Sequence, residues 1–199
     1  MRSLRWALPA LLATMPLAAT AQDDAVADRT RVGIGASVNM GGVGLLGVES
    51  GIAFTPIGMM NLHLPILTAG GLRIEPEFGY FNYSSSNSFA ESSTTALRLG
   101  VGVAWAWEPL ERTSLYVGPK IGLSFRSTDY DQDEGGFDVL EDDDATDFWI
   151  GAAVGGEGFV TEGFSLGLEA QLNYINFGGD DDQSAVSTNA LFFGRFYFN

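Results

Sequence analysis

The stretch LRLGVGVAWAW, Leu97 to Trp107, alternates strictly between large apolar residues and small or charged ones. Leu97, Leu99, Val101, Val103, Trp105 and Trp107 fall on one face. Arg98, Gly100, Gly102, Ala104 and Ala106 fall on the other. SLYVGPKIGLSFR repeats the pattern, with Leu115, Val117, Pro119, Ile121, Leu123 and Phe125 opposite Tyr116, Gly118, Lys120, Gly122, Ser124 and Arg126. A repeat of two is the side-chain period of a half-buried strand, whereas an amphipathic helix returns its apolar stripe every three to four residues.

The same alternation predicts eight strands, near 31–40, 57–67, 72–83, 95–107, 114–126, 147–159, 164–176 and 188–198. They are longer than the common strand of ~5–6 residues and match the ~9–11 tilted residues that cross a bilayer. The connections alternate in length. Residues 68–71, 108–113 and 160–163 are short turns, whereas 41–56, 84–94, 127–146 and 177–187 are longer and rich in Gly, Ser or Asp. Short turns at one end and long loops at the other describe an antiparallel barrel crossing a bacterial outer membrane, with both chain ends on the periplasmic side. The segment GVGLLGVESGIAF (42–54) is itself strand-like. A ninth membrane strand would break the even count, so we read it as an ordered first outer loop or as strand extensions beyond the membrane.

The chain opens with MRSLRWALPALLATMPLAATA. Arg2 and Arg5, a short apolar core and the small residues Ala19 and Ala21 predict a cleaved signal peptide over 1–21. A short periplasmic segment, 22–30, would follow, and then the barrel, 31–199. Cleavage leaves eight basic residues against 25 acidic ones, a net charge of −17. That charge repels nucleic acid phosphates and excludes nucleic acid as a partner. The chain has no Cys, so disulfides, thiol chemistry and a lipid anchor are not expected.

The charged, glycine-rich face should point inward, because an eight-stranded barrel fills its narrow interior with its own side chains. Inward we place Arg73, Glu75, Glu77, Arg98, Lys120, Arg126, Glu157, Glu169, Gln171, Asn173 and Arg195. Their charges nearly balance, as buried charges require. The outward face carries two aromatic belts. Trp105, Trp107 and Phe164 lie toward the short-turn end, and Tyr80, Phe125, Phe148 and Tyr174 toward the long-loop end. A soluble ligand-binding barrel would invert this pattern. Pro65, Pro76 and Pro119 would each cost a ladder hydrogen bond, and the layout places them near the short-turn ends.

Two stretches carry a family likeness: LRIEPEFGYF (72–81) and the ending FFGRFYFN (192–199). With the strand pattern over 30–199, they make the chain similar to the small outer-membrane β-barrel family that includes OmpX, Ail and the barrel of OmpA. The resemblance implies an aromatic-rich last strand read by the barrel assembly machinery. Gly194, Tyr197 and Phe198 match it, while Asn199 stands where a terminal Phe is common. It also implies roles in envelope integrity, adhesion or resistance to host defence.

The acidic stretch DYDQDEGGFDVLEDDDATD, Asp129 to Asp147, falls in the third outer loop. Asp129, Asp131 and Asp133 have the spacing that opens a calcium loop. Glu134 then stands at the sixth position, where Gly is needed, and Leu140 at the twelfth, where Glu is needed. We read a solvated acidic loop, with GGDDDQS (178–184) alike, the alternative being weak binding of Ca²⁺ or Mg²⁺ shared with lipopolysaccharide phosphates, and assign no metal site and no cofactor. His63 is the one histidine. It points inward with no Ser beside it in HLP, so no catalytic residue is assigned and no enzyme is expected. The expected partners are outer-membrane lipids and lipopolysaccharide, the assembly machinery, and an extracellular or host partner of the loops, on a monomeric barrel. A narrow pore and a lipid-modifying enzyme are the alternative functions.

Overall fold

In the computed structural model, residues 30–46, 59–86, 90–132, 143–178 and 184–198 are described. The signal segment 1–21, residues 22–29, residues 47–54 of the strand-like segment, Asp133, Asp180 to Asp182 and Asn199 lie outside them. The described chain is antiparallel β-sheet: β1 (Arg31–Leu46), β2 (Met60–His63), β3 (Ile66–Leu67), β4 (Leu72–Ser86), β5 (Ala90–Leu110), β6 (Thr113–Gln132), β7 (Asp143–Phe159), β8 (Phe164–Asn176) and β9 (Ser184–Phe198). Each wall of the barrel pairs with its neighbour in sequence. β1 pairs with β9 from Val32↔Phe198 to Leu46↔Val186, which closes the sheet into a barrel.

β2 and β3 are two pieces of one wall. Both pair with β1 on one side and with β4 on the other. The predicted strand 57–67 is therefore interrupted, and the break falls at Leu64–Pro65. Proline has no N–H for the ladder. The Pro65 carbonyl still accepts from Gly33 N at 2.8 Å, and Leu64 N donates to the Pro76 carbonyl at 3.0 Å. Pro76 and Pro119 lie toward the short-turn ends of β4 and β6; each pairs on one side, with Val101 and Ala152, while the ladder on its other side skips it.

The three short turns are as expected. The first is held by Thr68 N donating to the Leu72 carbonyl at 2.8 Å, with Gly71 at φ 75°. That left-handed conformation is free of steric cost only for glycine. At the opposite end the strands run further than the alternation predicted. β4 continues to Ser86, β5 begins at Ala90, β6 reaches Gln132 and β7 begins at Asp143. Residues 84–86, 90–94, 127–132 and 143–146 are therefore strand, and 42–46 continues β1. The sequence missed this because Ser, Thr and Asp at successive positions erase the apolar alternation, while ladder hydrogen bonds do not require it. Across these extensions Asn82, Thr95, Ser127 and Asp144 stand opposite one another in turn. Tyr83, on the lumen side of β4, is 56% exposed, so the extension rises beyond the closed barrel.

The outward face below it is apolar and exposed. β1 contributes Val32, Ile34 and Val38, and the other walls add Leu62, Leu99, Ile121, Ile150, Leu168 and Phe196. A surface of this kind is unfavourable in water and favourable in hydrocarbon. Trp105 and Trp107 near one rim, and Tyr80, Phe125, Phe148 and Tyr174 near the other, are exposed as predicted. Phe164 is half-buried against Phe196, with ring centroids 4.6 Å apart.

Candidate functional site

Alternation sends the polar residues of every wall into one narrow lumen. Ten of the eleven residues predicted to face inward are buried, and Arg126, near the outer end of β6, is half-buried. Arg73, Arg98, Lys120 and Arg195 meet Glu75, Glu77, Glu157 and Glu169 there, and Asp147 is a further buried carboxylate nearer the outer end.

Their pairing is dense. Glu75 accepts from Arg73 Nε at 2.9 Å and from Arg195 Nη2 at 2.8 Å. Glu157 accepts from Arg73 Nη1 at 3.0 Å, Ser165 Oγ at 2.7 Å and Tyr197 Oη at 2.9 Å. Lys120 Nζ bridges Glu77 at 2.9 Å and Glu169 at 2.7 Å. Glu169 also accepts from Tyr116 Oη at 2.7 Å and Gln171 Nε2 at 2.6 Å. The Arg98 guanidinium lies 3.8 Å from the centroid of the Trp149 ring, and that of Arg195 lies 3.5 Å from the centroid of Phe193. Arg73, Lys120 and Arg195 are thus matched to carboxylates at short range, and Arg98 Nη2 lies 3.8 Å from Glu77, which offsets the large cost of removing these charges from water.

Little space is left. Between Arg73, Glu75, Tyr116, Lys120 and Glu169 there is a cavity of about 10 Å³, room for about one water. Tyr116 and Phe193 add a small apolar plug with Ala106. The outer half of the lumen differs in chemistry. It is mostly amide and hydroxyl, with Asn39, Asn61, Asn173, Asn189, Ser37 and Ser187 buried, and Asp147 the buried carboxylate that accepts from Gly178 N at 3.2 Å.

The fold brings to His63 a residue distant in sequence. His63 does have a serine beside it: Ser37 Oγ is 2.6 Å from His63 Nε2. The two are 26 residues apart and lie on adjacent strands, with Gly35 opposite His63 and Ser37 opposite Asn61. On its other side, His63 Nδ1 lies 3.2 Å from Glu75 Oε1, short in distance though off the line of a good hydrogen bond, and 4.0 Å from Glu77. Nothing in HLP could show this, because the contact depends on the register between β1 and β2.

Asp129 and Asp131 lie in the ladder of β6 opposite Ser93 and Glu91, and Asp133 lies outside the described residues. Among the described residues no group of three His, Asp or Glu side chains is placed to hold a metal ion.

A closed antiparallel barrel with a neutralised polar lumen and an apolar outer belt is a transmembrane β-barrel of the outer-membrane type. The sequence matches the family model described as outer membrane protein beta-barrel domain over residues 8–194, and the chain belongs to that family. It is a protein of the bacterial outer membrane. Solved structures show the same fold. Neisserial surface protein A is 16% identical, with a TM-score of 0.52 over 85% of this chain and 97% of that one. Ail, the attachment invasion locus protein of Yersinia pestis, is 13% identical, with a TM-score of 0.50 over 84% of this chain and 96% of its own. Ail is also known in complex with the heparin analogue sucrose octasulfate. A major outer membrane protein from Thermus thermophilus is 10% identical, with a TM-score of 0.58 over 85% of this chain and 100% of that one. No curated protein sequence matches the chain.

Proposed function

We propose that this protein is a structural and surface-interaction protein of the envelope, acting through the strand extensions and acidic loops at its outer end. The observation that carries this reading is the filled lumen. Four carboxylates meet Arg73, Lys120 and Arg195 there at hydrogen-bond distances, with Arg98 3.8 Å from Glu77, which supports reading the barrel as a rigid support and not as a conduit. This favours the surface role over a narrow pore. The extensions of β4 to β7 carry Asn82, Thr95, Ser127 and Asp144 beyond the membrane. The acidic residues of 129–147 and 180–182 follow in sequence at the same end.

An acidic outer surface selects basic partners and repels polyanions. A heparin-like ligand, as bound by Ail, therefore suits this chain poorly. The partner class is a basic extracellular or host protein, with outer-membrane lipids and lipopolysaccharide around a monomeric barrel and the assembly machinery reading its last strand. This role needs no cofactor and no catalysis. The test is adhesion of cells expressing the protein to a surface coated with a basic protein. Expression should raise adhesion, and Asn at Asp129, Asp131 and Asp133 together with Asp180, Asp181 and Asp182 should abolish the gain. Equal adhesion by that variant, or steady conductance of the wild type in planar bilayers, would displace this reading.

A further inference from the structure

Arg126 differs from the other cations of the lumen. Arg73, Lys120 and Arg195 are held by carboxylates at hydrogen-bond distance, and Arg98 lies over the Trp149 ring with Glu77 3.8 Å away. No ion pair or hydrogen bond joins Arg126 to another described residue. It is also the one Lys or Arg in the segments that build the outer end, 40–60, 79–97, 124–148 and 174–190, which together hold fifteen Asp and Glu. A charge taken partly out of water is stabilised when it is paired, so a half-buried guanidinium without a counter-ion, inside an acidic rim, marks a place for an anion.

Register shows what surrounds it. Arg126 stands between Ala96 on β5 and Ala145 on β7, with Phe81 on β4 beyond Ala96. Tyr83, Thr94 and Thr128 form the next inward-facing row toward the outside, and the two threonine hydroxyls lie 3.4 Å apart. The alanines keep large side chains away from both flanks of the guanidinium. Phe81 and Arg126 are two strand spacings apart, about 10 Å. Tyr83 is 56% exposed, and Phe81, Ala96, Arg126, Thr94 and Thr128 are half-buried. One row further in, Arg98, Ser124 and Asp147 are buried, and Asp147 accepts from Gly178 N. The rows around Arg126 therefore make a shallow floor at the mouth, open to the outside and closed below.

We propose, resting on the basic-partner reading given above, that this floor captures the carboxy-terminus of a basic polypeptide. Arg126 takes the terminal carboxylate as a bidentate pair, and Phe81 and Tyr83 pack on the last side chain. Charge complementarity fixes both parts of the ligand. The acidic rim attracts Lys and Arg and repels polyanions, whereas the guanidinium within it pairs with a single carboxylate. A basic chain with one carboxylate at its tip matches that pattern, and a uniformly basic surface leaves Arg126 unpaired and facing like charge. The tip is a chain end because the mouth of an eight-stranded barrel is narrow and admits one extended chain more readily than the two limbs of a loop.

The test uses the full chain refolded in detergent micelles, with the heat-dependent gel shift as proof that each sample is folded. The probes are three fluorescein-labelled peptides of alternating Lys and Gly that end in Leu. One is the free acid, one the carboxy-terminal amide, and one an amide with a Glu before the Leu. Binding is read by fluorescence anisotropy. The free acid should bind the wild type about 10-fold or more tightly than the plain amide, the gain of a charge-assisted pair. Arg126→Gln should bring the free acid down to the affinity of the amide. Arg126→Lys should recover only part of the difference, because an ammonium does not form the bidentate pair. Tyr83→Ala should weaken the free acid several-fold. The ratio of acid to amide on the wild type needs no variant, so it decides the matter even if a substitution at Arg126 prevents folding. Equal binding of acid and amide, as would follow if a carboxylate of this chain held Arg126, overturns the proposal and leaves the basic-partner reading standing. A preference for the acid that survives Arg126→Gln overturns it too. If the Glu-bearing amide binds as tightly as the free acid, the assignment to a chain end is overturned. Failure of all three peptides to bind overturns the basic-partner reading and this proposal with it.

Discussion

Replacing Lys120 by Met removes one charge from the lumen at nearly constant volume. In the native barrel Lys120 Nζ sits 2.9 Å from Glu77 and 2.7 Å from Glu169, and the lysine is 4% exposed. After the change these two carboxylates lose the cation between them. Glu169 keeps Tyr116 Oη and Gln171 Nε2, and the closest remaining guanidinium to Glu77 is that of Arg98, with Nη2 at 3.8 Å. Breaking a buried ion pair from one side typically costs about 3–5 kcal/mol, because a charge is left buried without compensation. Lys120→Met should therefore lose about that much. Adding Glu169→Gln returns the lumen to charge balance and should recover a large part of it, so the two changes together should cost less than the sum of each alone. Urea unfolding from lipid vesicles, followed by tryptophan fluorescence and by the gel shift, measures both. A loss below about 1 kcal/mol for Lys120→Met, the range of a solvated surface pair, would refute the reasoning, since it would mean that water enters the lumen freely enough to solvate both carboxylates.

The remaining predictions concern the wall and the loops. Leu168→Arg, on the lipid face near mid-membrane, should cost about 2–4 kcal/mol, whereas Thr95→Arg on the outer extension should be nearly neutral; unfolding from vesicles separates them. At Gly118 an added Cβ would collide with the Val103 carbonyl oxygen and stand 2.5 Å from Ala104 Cα. Both are backbone atoms that cannot rotate aside, so Gly118→Ala should cost about 1–3 kcal/mol and lower the folded fraction on gels. Asn at Asp129, Asp131 and Asp133 should leave stability within about 0.5 kcal/mol, and calorimetry of the wild type at millimolar Ca²⁺ should show no binding heat.

Much of this molecule follows from the sequence because alternation is a local property. One residue in two points to each face, so LRLGVGVAWAW by itself settles that Arg98 is lumenal and Trp105 faces lipid. The same rule places Glu75, Lys120 and Arg195 inside before any tertiary contact is known. It failed where the local signal is weak. Ser84 to Ser86 and Ser92 to Thr95 lack apolar alternation, yet they form strand because adjacent chains supply the ladder. Tertiary structure alone decided the pairings within the lumen. Alternation says that Ser37, His63 and Glu75 point inward, but not that they meet. Their meeting depends on the register of β1, β2 and β4, set by closure of the barrel and by the break at Pro65, and a shift of two residues would preserve every face while separating Ser37 from His63.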